Sequence, residues 1–555
     1  MLWSREASVG YNDAKDIEEV TRLDADSRQA RRGIGKRSIG LSASLIFIAT
    51  LISRVSGFAR EIVMAFFFAT SRATDSWLMA SALPNLLFST INGAISVTLV
   101  PILTDGDASY SPRSVARFLN EVFTLTVVVA LGLVAIGEIF APVIVHLMAP
   151  GFSGHPHELR ETIDMTRIMV PTILFWGIAG LVVGILQERE EFFAPALSPV
   201  AVNVVRILTI ILIGHYLMHN NIKGVAIGFT LAVVSQLLVT VPVMKRLGTS
   251  LHFRWHFSHP LLRRMIRMAG PFFLTSSVGS VGVIVDRILA SELVVGSIAA
   301  LNYAFVLVQI PVGLLVSSLA QPIYTRLSHH HSFHEDETFR ELAMQGFRLV
   351  LVVIVPITIW FLVLNVPILR LLYQHGHFHG RSTALTSGVL FYFSVGLPGF
   401  SLSFYLQRLF FATKDTRSPS RFSVITIIVN IVGDLILVRY MKVDGLALAT
   451  GLASWVNASL LAYKALKPRY NRTLNMGRTL FTLSVAGLGM LAVSLGLSHL
   501  LHMSTQADIV PLTLSLVLIA VVSCAVYLLL LLCLRYPDMG YILSRLSRGR
   551  ISWPR

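Results

Sequence analysis

Residues 510–534 read VPLTLSLVLIAVVSCAVYLLLLLCL, a run of 25 residues without a charged side chain. An apolar run of about 20 residues is long enough to cross the hydrocarbon core of a bilayer as an α-helix. Similar runs recur toward the N-terminus as far as Ile39, and only short polar gaps separate them. This stretch and its counterparts predict a membrane protein of many spans without a sizeable soluble domain.

Counting these runs gives about fourteen transmembrane helices, so the expected fold class is an all-α polytopic membrane protein. The predicted helices cover residues 40–69, 74–104, 119–148, 164–187, 195–217, 223–244, 265–292, 297–325, 343–368, 383–411, 420–439, 444–464, 477–500 and 510–534. Because the number is even, both chain ends are expected on the same side of the membrane.

The charge of the chain fits a membrane protein better than a soluble one. Of the 555 residues, 54% are hydrophobic and 14% are charged, and the net charge is +16. A soluble domain carries about 25% charged residues. With the N-terminus in the cytoplasm, the cytoplasmic segments hold roughly 33 Lys and Arg and the outer segments roughly 7, which predicts cytoplasmic termini. The positive charge thus follows topology, and we expect no nucleic-acid partner.

An internal repeat is visible at a shift of 221 residues, where Pro101–Thr104 matches Pro322–Thr325 and Gly224–Ile227 matches Gly445–Leu448. Chance recurrence of Gly, Ala and Pro in apolar sequence is the alternative. A true repeat predicts two six-helix lobes in parallel orientation, with substrate bound between them. The predicted organisation is a cytoplasmic tail (1–38), an N-lobe (39–245), a C-lobe (246–466), two further helices (467–535) and a basic cytoplasmic tail (536–555).

Charged side chains stand inside several predicted helices. The first helix carries Arg54, Arg60 and Glu61, and Arg54 lies about 20 Å from the start of that helix. A charge near the bilayer centre costs roughly 2.5–3.5 kcal/mol, so it needs a partner or a hydrated cavity. The charged candidates in later helices are Asp75, Arg206, Asp286, Arg287 and Asp434.

Each of these charges has two interpretations. It forms a local ion pair or reaches the membrane surface along its aliphatic stem, or it lines a polar cavity. Depth in the helix favours a cavity for Arg54 and Arg287, whereas both interpretations stay open for Arg60 and Arg206. Arginine keeps its charge at any accessible pH, and its planar fork matches phosphate oxygens. The sequence therefore predicts a cavity for an anionic headgroup, since a proton-coupled drug exporter would more naturally carry central carboxylates.

Energy coupling and metal binding leave weaker signals. No ATP-binding motif is present, so transport is expected to run downhill or on the membrane potential or a monovalent-ion gradient, without a cofactor. Two histidine clusters, at 329–334 and 375–379, lack the cysteine or carboxylate partners of a compact zinc site, so we predict no metal site. The two cysteines both lie in the last apolar run and form no disulfide framework.

Several motifs together carry a family resemblance. They are Ser53–Glu61 (SRVSGFARE), Ala73–Asp75 (ATD), Leu83–Leu87 (LPNLL) and Ala412–Pro419 (ATKDTRSP). With these motifs, the chain from near Ile39 to its end resembles the MurJ/MviN lipid II flippases of the MOP exporter superfamily.

This resemblance implies a fold, a function and a set of site residues. Two lobes would form a V around a cationic cavity, and helices 13 and 14 would hold the lipid tail in a groove. The headgroup of a polyprenyl-diphosphate-linked sugar, with lipid II preferred, would cross the bacterial inner membrane by alternating access. It also implies a role in peptidoglycan synthesis, membrane lipids as partners and a monomer. It implies that Arg54 and Arg60 engage or gate the headgroup and that Asp75 is required for function. Our further candidates are Ser53 and Asn85 at the substrate, with Glu61, Asp286 and Asp434 as functional or gating charges.

The chain departs from the family pattern at cavity positions. Phe88 follows the LPNLL motif where the family commonly has Arg, and Phe305 and Val306 stand where it commonly has Asp-Arg. We hypothesise that Arg287, and with it Arg206, replaces these cations from neighbouring helices. The alternative is a different lipid-linked glycan, such as an exopolysaccharide or O-antigen unit. An ion-coupled small-molecule exporter, a membrane glycosyltransferase and a non-transporting scaffold are less well supported, and no enzyme activity is expected.

Overall fold

The computed structural model describes residues 47–320, 323–324, 327, 336–413, 415, 417–465, 476–503, 508–537 and 539. The predicted tail 1–38, nearly all of the tail 536–555 and the first histidine cluster lie outside these residues. Regular structure within the described ranges is helical throughout.

Seventeen helices organise this part of the chain. They are α1 (described over 47–68), α2 (Arg72–Ala80), α3 (Ala82–Ser109), α4 (Pro112–Met148), α5 (Pro156–Met169), α6 (Thr172–Glu188), α7 (Phe193–Thr209), α8 (Ile222–Arg246), α9 (Pro260–Ser291), α10 (Ser297–Pro311), α11 (Asp336–Val363), α12 (Asn365–Leu372), α13 (Gly380–Ala412), α14 (Arg417–Met441), α15 (Val443–Ala465), α16 (Met476–Leu500) and α17 (Ile509–Cys533). Helices α7 and α10 continue as wider π-helical turns over Ile210–Leu217 and Val312–Val316.

The helices confirm the predicted fold class. Within the described residues, 12 helical stretches are long and apolar enough to cross a membrane, and helices cover the described part of every predicted segment. The two remaining segments are α1, which carries Arg54, Arg60 and Glu61, and α9, which is 32 residues long. The protein is an all-α multi-pass membrane protein, and the full number of fourteen spans stays a prediction.

Two predicted spans are interrupted. The span predicted over 74–104 divides into α2 and α3 at Ser81, whose backbone N–H donates to the carbonyl of Trp77. The span predicted over 164–187 divides into α5 and α6 at Pro171, because proline lacks the N–H that would continue the helical ladder. The first interruption matters for function, since it creates the short helix α2 between the two halves of the molecule.

Glycine contacts explain one of the two sequence matches that revealed the repeat. A Cβ atom on Gly224 would lie 2.8 Å from the Cα of Gly214, and one on Gly445 would lie 2.6 Å from the carbonyl carbon of Leu437. Both glycines begin the last helix of a half and let it approach the preceding helix closely. The halves α1–α8 and α9–α15 therefore share this close approach between their last two helices, while the predicted domain boundaries stay predictions.

The last two helices pack against the second half. Helices α16 and α17 contact each other, and both contact α11. The Tyr527 hydroxyl on α17 donates to the carbonyl of Val352 at 3.2 Å, and the Trp360 indole on α11 donates to the Ser523 hydroxyl at 3.0 Å. Helix α9 has the opposite character, because it packs against α3 and α4 of the first half as well as α14 of the second.

Candidate functional site

A cavity of about 240 Å³ lies between α1 of the first half and α10 of the second. Its polar lining comes from Arg54, Arg60 and Glu61 on α1 and from Gln309 on α10, and Val306 adds an apolar wall. Two guanidinium groups against one carboxylate give this arginine cavity a positive charge. The structure thus brings together the three helix 1 charges that the sequence analysis selected.

Hydrogen bonds hold Arg60 in a fixed position. Its Nη1 donates to Asn203 Oδ1 at 2.9 Å, and its Nη2 donates to Glu61 Oε1 at 2.5 Å. Asn203 also donates to the carbonyl oxygen of Ser53 at 3.1 Å, which ties α7 to α1. Glu61 Oε2 accepts from Asn302 Nδ2 on α10 at 3.2 Å. The side chain of Arg60 remains 22% exposed, so it faces the cavity from a rigid support.

Arg54 is less constrained than Arg60. Its residue is exposed, and its guanidinium lies beside Gly313, where a Cβ atom would sit 2.9 Å from Arg54 Cζ. Gly313 belongs to the π-helical turn that follows Pro311. The missing side chain at position 313 gives the guanidinium of Arg54 room to lie against α10.

A second cavity, of about 280 Å³, opens within the second half. Its lining carries no charge and combines aromatic rings with amides and hydroxyl groups: Gln309, Phe400, Ser403, Phe404, Gln407, Thr426, Asn430, Thr450, Ser454 and Asn457. Gln309 lines both cavities, so this neutral cavity adjoins the arginine cavity. Sequence reasoning missed it, because single amides and hydroxyls in apolar helices resemble ordinary helix contacts.

Two carboxyl groups face each other behind the neutral cavity. Asp286 on α9 and Asp434 on α14 interact directly, and within the described structure the Oδ1 atom of each is buried without a hydrogen-bond partner. Asn430 Nδ2 donates to Asp434 Oδ2 at 2.9 Å and approaches Thr450 Oγ1 at 3.4 Å. This cluster concentrates carboxylate, amide and hydroxyl oxygens, which are the ligands that hard cations prefer.

Asp75 lies away from both cavities and joins the two halves. Its carboxylate accepts from the backbone N–H of Gly296 at 2.6 Å and of Ala299 at 2.8 Å. Gly296 has a φ of 91°, which favours glycine, and directly precedes α10. A carboxylate at a helix N-terminus satisfies free N–H groups and interacts favourably with the helix dipole. Asp75 on α2 therefore caps a helix of the other half.

Further contacts surround Asp75 at the same end of the molecule. The Thr70 hydroxyl donates to the Ser382 hydroxyl at 2.7 Å, and the His377 N–H donates to the carbonyl of Phe66 at 2.8 Å. We call this set, with Asp75, the outer contact, because its loops are predicted to face outward. The second histidine cluster thus helps to join the halves.

The other predicted site residues lie outside the two cavities. Arg287 Nη1 donates to the carbonyl of Leu78 on α2 at 2.6 Å. The guanidinium of Arg206 lies over the rings of Trp77 on α2 and Phe229 on α8, at 5.3 Å and 4.8 Å from their centroids. Asn85 is exposed on α3. Both deep arginines thus contact α2 or its neighbours, and their hypothesised role as replacement cavity cations stays a hypothesis.

Aromatic contacts occupy the positions where the family pattern has charges. Phe88 stacks against Trp176 with ring centroids 4.3 Å apart, and Phe305 packs against Phe393 at 5.5 Å and Phe400 at 6.1 Å. Such pairs stabilise beyond the burial of their area. At both positions aromatic surface stands in place of charge, and Phe305 contacts Phe400 in the lining of the neutral cavity.

The ATKDTRSP motif builds a helix cap on the side opposite the outer contact. Asp415 accepts from the backbone N–H and the hydroxyl of Ser418 at 3.0 Å and 2.5 Å, and from Lys464 Nζ at 3.1 Å. The Ser418 hydroxyl, followed by its backbone N–H and by Lys464, lowers the pKa of Asp415 to about 2. The motif thus holds the start of α14 against the end of α15.

Comparisons with known proteins agree with this architecture. The family model described as "Lipid II flippase MurJ" matches residues 64–531. The chain is 28% identical to the "Probable lipid II flippase MurJ" of Rhizobium tropici over 512 residues, which covers 90% of this chain and 95% of the relative. It is 27% identical to the "Lipid II flippase MurJ" of Burkholderia cenocepacia over 457 residues, 81% and 87% of the two chains.

Solved structures share the fold. The structure "Lipid II flippase MurJ, inward closed conformation" superposes with a TM-score of 0.74 at 23% identity, and the match covers 87% of this chain and 98% of the other. An inward-facing multidrug MATE transporter of the MOP superfamily superposes with a TM-score of 0.59 at 12% identity, and the match covers 77% of this chain and 99% of the other. The family match spans most of the chain and includes the neutral cavity and the α10 wall of the arginine cavity, whereas Arg54, Arg60 and Glu61 on α1 precede it. This protein therefore belongs to the lipid II flippase MurJ family.

Proposed function

We propose that this protein moves lipid II from the cytoplasmic to the outer leaflet of the bacterial inner membrane and so supplies peptidoglycan synthesis. The relatives named as lipid II flippases support this proposal. The observation that carries it is the arginine cavity between the halves, lined by Arg54 and Arg60 with Glu61 as its one carboxylate.

The chemistry of the headgroup explains why such a cavity is needed. Burying an unpaired diphosphate in hydrocarbon costs many kcal/mol. A guanidinium offers paired N–H donors to phosphate oxygens and stays charged when partly desolvated. Arg60 is oriented by Asn203 and Glu61 before substrate arrives, whereas Arg54 is free to adjust. We assign Arg60 the positioning of the diphosphate and Arg54 its capture.

Alternating access requires a contact that closes one side and can be released. The outer contact suits this role because Asp75 of the first half caps α10 of the second, and α10 also carries the cavity residue Gln309. With both termini in the cytoplasm, a closed outer contact corresponds to a cavity that receives substrate from the cytoplasmic leaflet. Opening would separate Asp75 from α10 and release the headgroup outward.

We further propose that a monovalent cation is coupled to transport through Asp286 and Asp434. The fit rests on their two buried, unpartnered carboxyl oxygens and on the nearby oxygens of Asn430 and Thr450. A cation there would relieve the repulsion between the carboxylates and hold α9 against α14. Because α9 also packs on the first half, this contact connects ion binding to the relative position of the halves.

Another lipid-linked glycan is the second candidate substrate. The observation that favours it is the aromatic surface around Phe305 and Val306, where the family pattern has charges. Such a substrate would keep the diphosphate contacts with Arg54 and Arg60 and differ in the groups beyond them. We propose that the protein acts as a monomer in either case.

The test is complementation in a bacterium whose resident lipid II flippase is depleted. The parent chain is expected to restore growth, and Arg54→Ala and Arg60→Ala are expected to fail at equal membrane abundance. Arg439→Ala, an exposed arginine at the end of α14, serves as the matched control and should restore growth. Failure of a properly inserted parent chain would contradict lipid II as substrate and favour the other glycan.

A further inference from the structure

The neutral cavity in the second half has a composition suited to a ligand that carries no charge. Its polar groups are amides and hydroxyls, and its apolar wall includes the rings of Phe400 and Phe404. The arginine cavity, by contrast, carries two guanidinium groups. Since Gln309 lines both, one elongated ligand with a charged part and a neutral polar part would fit the two together.

Asn457 supplies the observation that points to a ligand. The residue is 9% exposed, lines the neutral cavity, and its Oδ1 atom is buried without a hydrogen-bond partner within the described structure. A buried carbonyl oxygen without a hydrogen-bond partner carries an uncompensated desolvation cost. A ligand hydroxyl or amide N–H that donates to this oxygen would recover that cost.

The neighbouring hydroxyl groups are already committed as donors. Ser454 donates to the carbonyl of Gly396 at 2.9 Å, Thr426 to that of Phe422 at 2.8 Å, and Ser403 to that of Ser454 at 3.2 Å. Each therefore offers its oxygen only as an acceptor. These acceptors, with the unpartnered acceptor of Asn457 among them, suit a ligand that presents O–H or N–H donors, and the amide N–H groups of Gln309 and Gln407 can donate to its oxygens.

The aromatic rings add a preference for shape. Phe400 packs edge-on against Phe305, with ring centroids 6.1 Å apart, and the guanidinium of Arg408 lies 5.2 Å from the ring centroid of Phe404. These contacts fix both rings beside the cavity. The negative face of an aromatic ring attracts polarised C–H groups, and a pyranose presents such C–H groups on one face and hydroxyls around its edge.

We infer that the neutral cavity is a sugar subsite, in which Asn457 accepts a hydrogen bond from the glycan of the substrate while Phe400 and Phe404 contact its C–H face. The inference rests on the proposed function, because the sugar reaches this cavity when the diphosphate lies at Arg54 and Arg60. It assigns the two halves different parts of one headgroup, the diphosphate to the first and the glycan to the second.

The test measures binding of two probes to the purified full chain: undecaprenyl diphosphate, and undecaprenyl diphosphate carrying one N-acetylglucosamine. The parent chain is expected to bind the sugar-bearing lipid about tenfold more tightly than the bare lipid. Asn457→Leu should remove this preference and leave affinity for the bare lipid unchanged, and Phe400→Leu should reduce it several-fold. Asn365→Leu, an amide at the start of α12 outside both cavities, is the matched control and should keep the preference.

The outcomes separate the sugar subsite from the proposed function. Equal affinity of the parent for both lipids, or an undiminished preference in folded Asn457→Leu, would overturn the sugar subsite while leaving diphosphate binding intact. Arg54→Ala is expected to weaken the binding of both lipids by the same factor. A parent that binds neither lipid would contradict the proposed function itself.

Discussion

The two halves of this molecule build the same helix contact and use it for opposite charges. In the first half, Asn203 of α7 lies 3.4 Å from the position a Cβ atom would take on Gly57 of α1. In the second half, Asn430 of α14 lies 3.2 Å from the corresponding position on Gly282 of α9. A glycine facing an asparagine thus joins the first helix of each half to its fifth predicted span.

The charges around these contacts differ. A carboxylate follows each glycine by four residues, Glu61 in the first half and Asp286 in the second. In the first half Arg60 pairs with that carboxylate, whereas in the second half the carboxylate faces Asp434. Under the proposed function, the first contact would present a cation to an anionic ligand, and the second would present two acids to a cation. The two contacts share their geometry, and a few substitutions give them opposite charges.

The largest effect is expected from removing the charge that distinguishes the first half. Arg60→Val should reduce flipping to background, because it removes a phosphate ligand and leaves Glu61, which is 4% exposed, without its cation. Removing the cation beside a buried carboxylate is destabilising, because the remaining charge is desolvated without its ion-pair partner. Flipping is measured in proteoliposomes, and Arg60→Lys, which keeps the charge but loses the fork, should retain part of it. Full flipping activity of Arg60→Val would show that the helix contact of the first half does not bind the anionic headgroup.

The second half should respond differently to loss of its acid pair. Asp434→Asn is expected to lower flipping about tenfold and to abolish any dependence on a monovalent-ion gradient. Its thermal unfolding temperature should stay level or rise, because one of two facing carboxylates has been neutralised. Flipping with and without a sodium gradient, together with thermal unfolding, checks both parts. An ion dependence that survives in Asp434→Asn would contradict the coupling role of the pair.

A smaller effect is expected at the outer contact. Asp75→Asn should weaken the cap on α10 by about 0.5–2 kcal/mol. The fraction of molecules that are open to the outside should therefore rise about fivefold. A cysteine introduced as Val306→Cys, with Cys524 and Cys533 replaced by Ser, would report opening through its labelling rate by an impermeant reagent added outside.

The control for this labelling is Asp508→Asn, an exposed carboxylate that precedes α17, which should leave the rate unchanged. Slower labelling in Asp75→Asn than in the Asp75 parent would contradict the assignment of this contact as the outer closure.

The smallest effect is expected at Gly313. A Cβ atom in Gly313→Ala would crowd the guanidinium of Arg54, but this flexible side chain can move aside at little cost. Affinity for the substrate should fall a few-fold, with the flipping rate at saturation nearly unchanged. Initial rates at several lipid II concentrations separate the two quantities. A loss of flipping activity as large as that in Arg60→Val would show that the Arg54 side chain cannot move aside.

The sequence predicted the fold well because apolar run length is a direct physical requirement of the bilayer. Every predicted span contains a helix, and the matched glycines Gly224 and Gly445 proved to be packing positions. The breaks at Ser81 and Pro171 were missed, since an interrupted span keeps the same hydropathy as a continuous one.

Site prediction was uneven for a related reason. Charge depth selected Arg54, which lines a cavity, but also Arg287, whose partner is the carbonyl of Leu78. It left both interpretations open for Arg60, which lines the same cavity as Arg54. Depth in a helix reports that a charge needs a partner and not which partner it has. Neutral lining residues such as Gln407 and Asn457 left no signal, because amides in apolar helices are common and their positions only gain meaning once the helices are packed.

The most direct test of the account is flipping of fluorescent lipid II by purified protein in proteoliposomes, with the parent chain and Arg54→Ala measured side by side. If lipid II crosses through the arginine cavity, the parent should speed transfer between leaflets at least about tenfold over protein-free vesicles, and Arg54→Ala should return the transfer rate to that of the protein-free vesicles. Transfer by the parent no faster than in empty vesicles, or equal transfer by both proteins, would contradict lipid II flipping through the arginine cavity.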